Sequence, residues 1–144
     1  MKEIILGRND IIVPFVAARI GQTPFTNCAS MGLVEDGKII AGVVYDCYTG
    51  ANCNIHVGAV PGRRWMTREF LYAVFDYPFR QLDLKRITGP VERSNHEALR
   101  FDRHLGFQLE GVMKDAAPSG DILLLVLWRD NCRYWHRDNI RKAA

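Results

Sequence analysis

No apolar run in this sequence comes near the ~20 residues that a membrane-spanning helix requires; the unbroken run Ile122 to Trp128 has the length of a strand. No two cysteines form a C-x-x-C pair. Cys28, Cys47, Cys53 and Cys132 are scattered. Cys47, Cys53 and His56 lie close together, but a fourth ligand is missing and the spacing fits no zinc pattern, so no metal site is expected. Thiols dispersed over strands read as buried, reduced residues. No repeat, low-complexity tract or linker divides the 144 residues, which points to one domain with one core. Charge of one sign is also scarce. The net charge of +3 is too weak to argue for nucleic acid. Basic residues crowd the end, at Arg129, Arg133, Arg137, Arg141 and Lys142. Residues 1–132 are therefore read as the domain and 133–144 as a solvated basic tail, with nucleic acid not expected as a partner. Met1 to Arg8 is strand-like and no small-residue cleavage site follows, so the expectation is a cytoplasmic protein with no signal peptide and no membrane partner.

What is present is a mixture of strand and helix periods. Lys2 to Gly7 reads as a strand. Asn9 or Asp10 is expected to cap a helix whose apolar residues Ile11, Ile12, Phe15, Val16, Ala18 and Ile20 recur at helical spacing, with Gly21 at its end. Ser30–Glu35 and Lys38–Tyr48 flank Asp36-Gly37, the strongest hairpin signal in the chain, and Cys53–Val60 continues the meander. From Thr67, the residues Phe70, Leu71, Val74, Phe75, Phe79 and Leu82 mark an amphipathic helix that Pro78 should kink. Arg86–Glu92 reads as a strand, but Pro90 cannot donate to a ladder, so pairing is expected to fail on one side there. Asn95–Leu105 is a second amphipathic helix closed by Gly106. Phe107–Ala116 and Ile122–Trp128 are the last strands, the latter expected to be central and buried on both faces. The order β-α-β-β-β-α-β-α-β-β implies a mixed α/β (α+β) domain.

In the second half, Tyr77-Pro-Phe-Arg-Gln-Leu, Lys85-Arg86-Ile87, Asn95-x-x-Ala98 and Leu105-Gly106-Phe107-x-x-Glu110-Gly111 follow one another. This ordered set, with the element order, resembles the GNAT (Gcn5-related N-acetyltransferase) superfamily, and within it the branch that acetylates ribosomal-protein N-termini. The resemblance implies a mostly antiparallel, twisted sheet of about seven strands with helices on both faces and one splayed parallel pair, Cys53–Val60 and Arg86–Glu92. It implies acetyl-coenzyme A as co-substrate, with no metal, its arm lying in the splay. The acceptor would be a primary amine on a peptide N-terminus, a lysine or a small molecule. A homodimer is compatible with it. Val57, Gly58, Ala59 and Val60 would meet the pantetheine and thioester through main-chain groups, and Asn95 the cofactor arm, unless Asn95 serves as a helix cap or does both. The pyrophosphate would sit on the loop Pro61 to Arg68, with Arg63, Arg64, Met66, Thr67 and Arg68 as contacts. The alternative for Arg63-Arg64 is a solvated turn. In this register the family's two small loop residues are replaced by Thr67 and Glu69. That departure motivates a second reading, a catalytically silent binding module of the same fold.

Acyl transfer to an amine needs a base, oxyanion donors and, for some leaving groups, an acid. His56 ranks first as base, being on the strand that lines the acyl site and of suitable ordinary pKa, against the alternative of a structural histidine. Glu110 is the runner-up, with a structural role as its alternative, and His104 ranks lower. Many relatives have a tyrosine acid seven residues after the helix asparagine. Here that position is Asp102, read as a solvated helix charge. Trp65 and Phe70 are read as packing residues.

Overall fold

The computed structural model of the chain describes residues 1–22 and 25–135. Along it run β1 (Lys2–Leu6), α1 (Asn9–Ile20), β2 (Ala29–Glu35), β3 (Lys38–Asp46), β4 (Asn54–Ala59), α2 (Arg68–Asp76), β5 (Arg86–Glu92), α3 (His96–Leu105), β6 (Gln108–Ala117) and β7 (Gly120–Trp128). The strands form one seven-stranded sheet in the order β1-β2-β3-β4-β5-β7-β6. Every neighbouring pair is antiparallel except β4 and β5. The hairpin expected at Asp36-Gly37 is there, with positive φ at both residues (52° and 79°), the twist that a two-residue turn needs.

The two faces of the sheet are built differently. Gly32, Gly42 and Gly58 are direct cross-strand partners on β2, β3 and β4. Together they form a row without side chains, and α1 lies in it. A Cβ on Gly42 would stand 2.7 Å from Val16 Cγ2, and one on Gly58 would stand 2.9 Å from Arg19 Cβ. Ile12, Val13 and Val16 of α1 bury against Val44 in a small core on this side. The other face carries α2 and α3 and the main core, with Phe70, Phe75, Phe79, Leu33, Val43, Ile87, Leu125 and Leu127 almost fully enclosed. Phe70 is thus a core residue, as expected.

Several local readings change. Asn9 does not cap α1. Arg8 occupies that position without a side-chain capping bond, while Asn9 donates to Cys28 O at 3.0 Å and accepts from Ser30, tying the helix start to β2. Pro78 does not kink α2. The chain widens into a π turn over Tyr77–Gln81, where Leu82 N–H reaches Tyr77 O and Leu84 N–H reaches Pro78 O, each at 3.0 Å. β7 is second from the edge rather than central, and Trp128 is exposed. Cys53 and Cys132 are buried, whereas Cys47 is exposed in the loop after β3 and Cys28 is half-buried. Packing continues past the boundary expected at 132, since Trp135 is buried against Phe79 with ring centroids 5.9 Å apart. The remainder of the basic tail lies outside the described residues. Among the described residues no helix is long and apolar enough to cross a membrane.

Candidate active site

The site begins where two strands part. Val60 N–H bonds Ile40 O at 2.8 Å. Carried back along the β3–β4 register, that alternation commits the main-chain groups of Asn54, His56 and Gly58 to β3 and turns those of Ile55, Val57 and Ala59 toward β5. On β5, Arg93 N–H bonds Asp121 O at 2.9 Å, so Ile87, Gly89 and Val91 serve the β7 ladder while Thr88 and Pro90 face β4. Thr88 uses its N–H on Cys53 O at 2.9 Å, and Asn54 opposite Thr88 is the last ladder partner pair between these strands. The next donor toward β4 would come from residue 90, and proline has none. Pro90 therefore costs nothing on the β7 side and leaves the β4 side unzipped, as the sequence led one to expect. Beyond the apex, Val57 and Ala59 point into the gap main-chain groups that have no main-chain partner among the described residues. Gly58 does not; its backbone is committed to β3, and its missing side chain makes room for α1.

This gap opens into a cleft of about 720 Å³, walled by β4, β5, α2 and α3, with Val60, Arg63, Met66 and Asn95 also lining it. Thr67 caps α2, its hydroxyl accepting from Phe70 N–H at 3.2 Å. The N–H groups of Arg64, Met66, Arg68 and Glu69 have no main-chain acceptor among the described residues. A run of free amides at the start of a nine-residue helix favours an anion. Thr67 thus replaces a small residue with a cap, and Glu69 is exposed in the first turn. Arg64 and Arg68 are exposed beside the loop, while Arg63 is engaged by Glu35. Trp65 packs on Phe101 with ring centroids 5.0 Å apart and forms part of the cleft wall. Asn95 caps α3, its side chain accepting from Ala98 N–H at 3.2 Å, and also lines the cleft.

His56 is 9% exposed, and its Nε2 lies 2.8 Å from Asp46 Oδ1. Asp46 pairs with Asn54 and His56 with Val44, so the two side chains are diagonal neighbours on the α1 face of the sheet. With Nε2–H donating to the carboxylate, Nδ1 keeps the lone pair. The Phe25 ring lies 4.6 Å from the imidazole, centroid to centroid. His56 lines both the cleft and a second cavity of about 660 Å³, whose other walls include Asp46, Tyr48, Asn54 and Asn27. Asp46 was not singled out from sequence. Its only signal is tertiary, the pairing that puts it beside His56.

Glu110 is not in this site. It sits on exposed β6 and takes a two-point ion pair from Arg86, at 2.8 and 2.6 Å, which holds its carboxyl below the usual range. Arg86 also donates to Asn52 and Thr88 and covers the Trp128 ring, so Glu110 completes a brace behind the apex of the gap. A carboxylate so paired is a poor base. His104 is exposed at the cleft margin. Asp102, read as a solvated charge, is instead largely buried in the cleft wall, and burial pushes its carboxyl up from 3.8 to about 7. Among the described residues its side chain has no hydrogen-bond or ion-pair partner.

The fold is similar to that of known acetyltransferases. The ribosomal-protein-S5-alanine acetyltransferase of Vibrio fischeri is similar with a TM-score of 0.71 at 14% identity, over 92% of this chain and 95% of that one. The protein yncA of Salmonella typhimurium, solved with its cofactor acetyl-CoA, is similar with a TM-score of 0.68 at 13% identity over 88% and 93%. The N-acetyltransferase PseH of Campylobacter jejuni, in complex with acetyl coenzyme A, is similar with a TM-score of 0.58 at 19% identity over 73% and 70%. No family model matches the chain, and no curated protein matches it by sequence. The protein has the GNAT acetyltransferase fold, as the motifs of its second half led one to expect.

Proposed function

We propose that the protein is an N-acetyltransferase that moves an acetyl group directly from acetyl-CoA to a primary amine. The observation that carries this is the unzipped β4–β5 pair, with the free main-chain groups of Val57 and Ala59 on one side and a donorless Pro90 on the other. An extended thioester arm fits such a gap by replacing the missing strand partner, and the free amides from Arg64 to Glu69 suit its diphosphate. Arg64 and Arg68 add charge at that end.

The reaction follows from where the groups stand. An ammonium entering the second cavity meets Asp46 and His56. His56 Nδ1 takes a proton from it, with Asp46 steadying the imidazolium. The amine nitrogen attacks the thioester carbon, and the Val57 N–H, already aimed into the gap, is positioned to receive the oxyanion. The walls of that cavity carry one carboxylate, the carboxamides of Asn27 and Asn54, and the Tyr48 ring. That set suits a compact monoamine with a neutral polar body better than a polycation, which would need several carboxylates. Thermal melting with and without millimolar acetyl-CoA tests the reading, followed by product detection across a panel of amines. A raised midpoint and an acetylated amine are expected. No shift would leave the silent binding module that the altered glycine loop suggests.

A further inference from the structure

We infer that Asn52 is a positioning residue, clamping the loop between β3 and β4 onto β5 so that the acceptor cavity is held in register with the thioester gap. This rests on the acyl-transfer reading above. The loop 47–53 joins Asp46 to Asn54, and Asp46, Cys47, Tyr48 and Asn54 are walls of the second cavity. The middle of the loop is a turn closed on itself. Thr49 N–H donates to Asn52 O at 2.9 Å, and Asn52 N–H donates to Thr49 Oγ1 at 3.0 Å. The Asn52 side chain leaves that turn for β5. Its Oδ1 accepts from Thr88 Oγ1 at 2.8 Å and from Arg86 Nε at 3.0 Å. Arg86 offers only donors, so the amide must present its oxygen there. Arg86 Nη2 also donates to Thr88 Oγ1 at 3.1 Å, so the buried Thr88 hydroxyl both gives and takes a bond.

The place of the clamp in the sheet gives it its use. β4 and β5 are ladder partners only at Asn54 and Thr88, with Cys53 O taking the Thr88 N–H. Past that apex the gap separates the half of the sheet that carries His56 and Asp46 from the half that carries Pro90. Among the described residues, the two bonds to Asn52 Oδ1 are the only side-chain hydrogen bonds between residues 1–60 and residues 86–128. A Cβ on Gly89 would meet Phe107, on the α3 side. Thr88, one residue earlier, therefore faces the side of Asn54 and His56, where the amine arrives. That amine must meet a thioester seated in the gap, and a misplacement of about 1 Å between reacting groups costs on the order of a hundredfold in rate. Glu110 holds Arg86 from the far side, but Thr88 and Asn52 bond each other without it.

The test compares wild type with Asn52→Leu, Thr88→Val, the double variant, Asn52→Asp and Thr88→Ser. Calorimetric titration reads acetyl-CoA affinity. Steady-state kinetics reads turnover with the best amine of the panel, and thiol release without amine reads acetyl-CoA hydrolysis. Asn52→Leu and Thr88→Val should bind acetyl-CoA within about threefold of wild type and lower kcat/KM for the amine by about tenfold or more. Hydrolysis should fall much less, because water needs no cavity wall to place it, so the ratio of aminolysis to hydrolysis drops. The double variant should be no worse than the poorer single one, since both break the same link. Asn52→Asp and Thr88→Ser keep the accepting oxygen and the hydroxyl and should recover most of the loss. If Asn52→Leu does not fold, Thr88→Val decides, because it leaves the bond from Arg86 to Asn52 in place. A folded Thr88→Val with the wild-type ratio overturns the assignment. So do equal losses in aminolysis, hydrolysis and acetyl-CoA affinity, which would make the clamp a structural tie alone. Wild-type protein that fails to bind acetyl-CoA instead removes the acyl-transfer reading, and this role with it.

Discussion

Asp102→Asn should stabilise the folded protein at alkaline pH, and the size of the effect follows from the cleft wall. Burial raises the Asp102 carboxyl from 3.8 to about 7. In an acid whose folded pKa is raised, the native state keeps the proton after the unfolded chain has lost it. Stability is therefore unaffected below about pH 4, falls as pH rises between the two values, and stays reduced above about 7. Each tenfold difference in proton affinity is worth about 1.36 kcal/mol, so the full interval corresponds to about 4 kcal/mol. The side chain is not fully enclosed, and solvent at the cleft mouth reduces this to about 2–4 kcal/mol. Asparagine has the same shape and no charge to desolvate. Urea unfolding of both proteins at pH 5, 6, 7 and 8 measures the difference directly, because His56 and every other titrating group are common to both. The wild type should lose about 1–2.5 kcal/mol relative to the variant between pH 5 and pH 8, the part of the interval that lies above pH 5. Parallel stability curves would mean that Asp102 is hydrated and ionised in the folded state, and would refute the burial argument.

His56→Ala should lower kcat by about a hundredfold or more while leaving acetyl-CoA affinity nearly unchanged, and Asp46→Asn should lower it less. Steady-state kinetics beside calorimetric titration reads this, and unchanged turnover would remove His56 from the mechanism. Gly58→Ala drives a methyl group to within 2.9 Å of Arg19 Cβ and 3.3 Å of the Val16 main chain. It should cost about 1–3 kcal/mol in urea unfolding, because α1 has to lift from the sheet. Glu110→Gln should leave kcat at the wild-type value, since that carboxylate braces Arg86 outside the cleft; a large fall in kcat would return it to the list of bases.

Much of the fold was readable because its signals are local. The Asp36-Gly37 turn, the left-handed ends at Gly21 and Gly106, and the caps at Thr67 and Asn95 each depend on a few adjacent residues. The failure of β5 to pair was written in Pro90, because a missing donor is a property of the residue itself. What could not be read is what distant segments do to one another. Gly32, Gly42 and Gly58 become a groove for α1 only when the register sets them side by side. Asp46 becomes the partner of His56 by the same pairing across strands. Glu110 looked like a candidate base until Arg86, from another strand, engaged it. Asp102 looked like an ordinary helix charge because its spacing carries no record of the wall it would enter. Propensity, turn geometry and missing donors belong to neighbours along the chain; burial, charge pairing and pKa belong to neighbours in space, and these exist only once the sheet has formed.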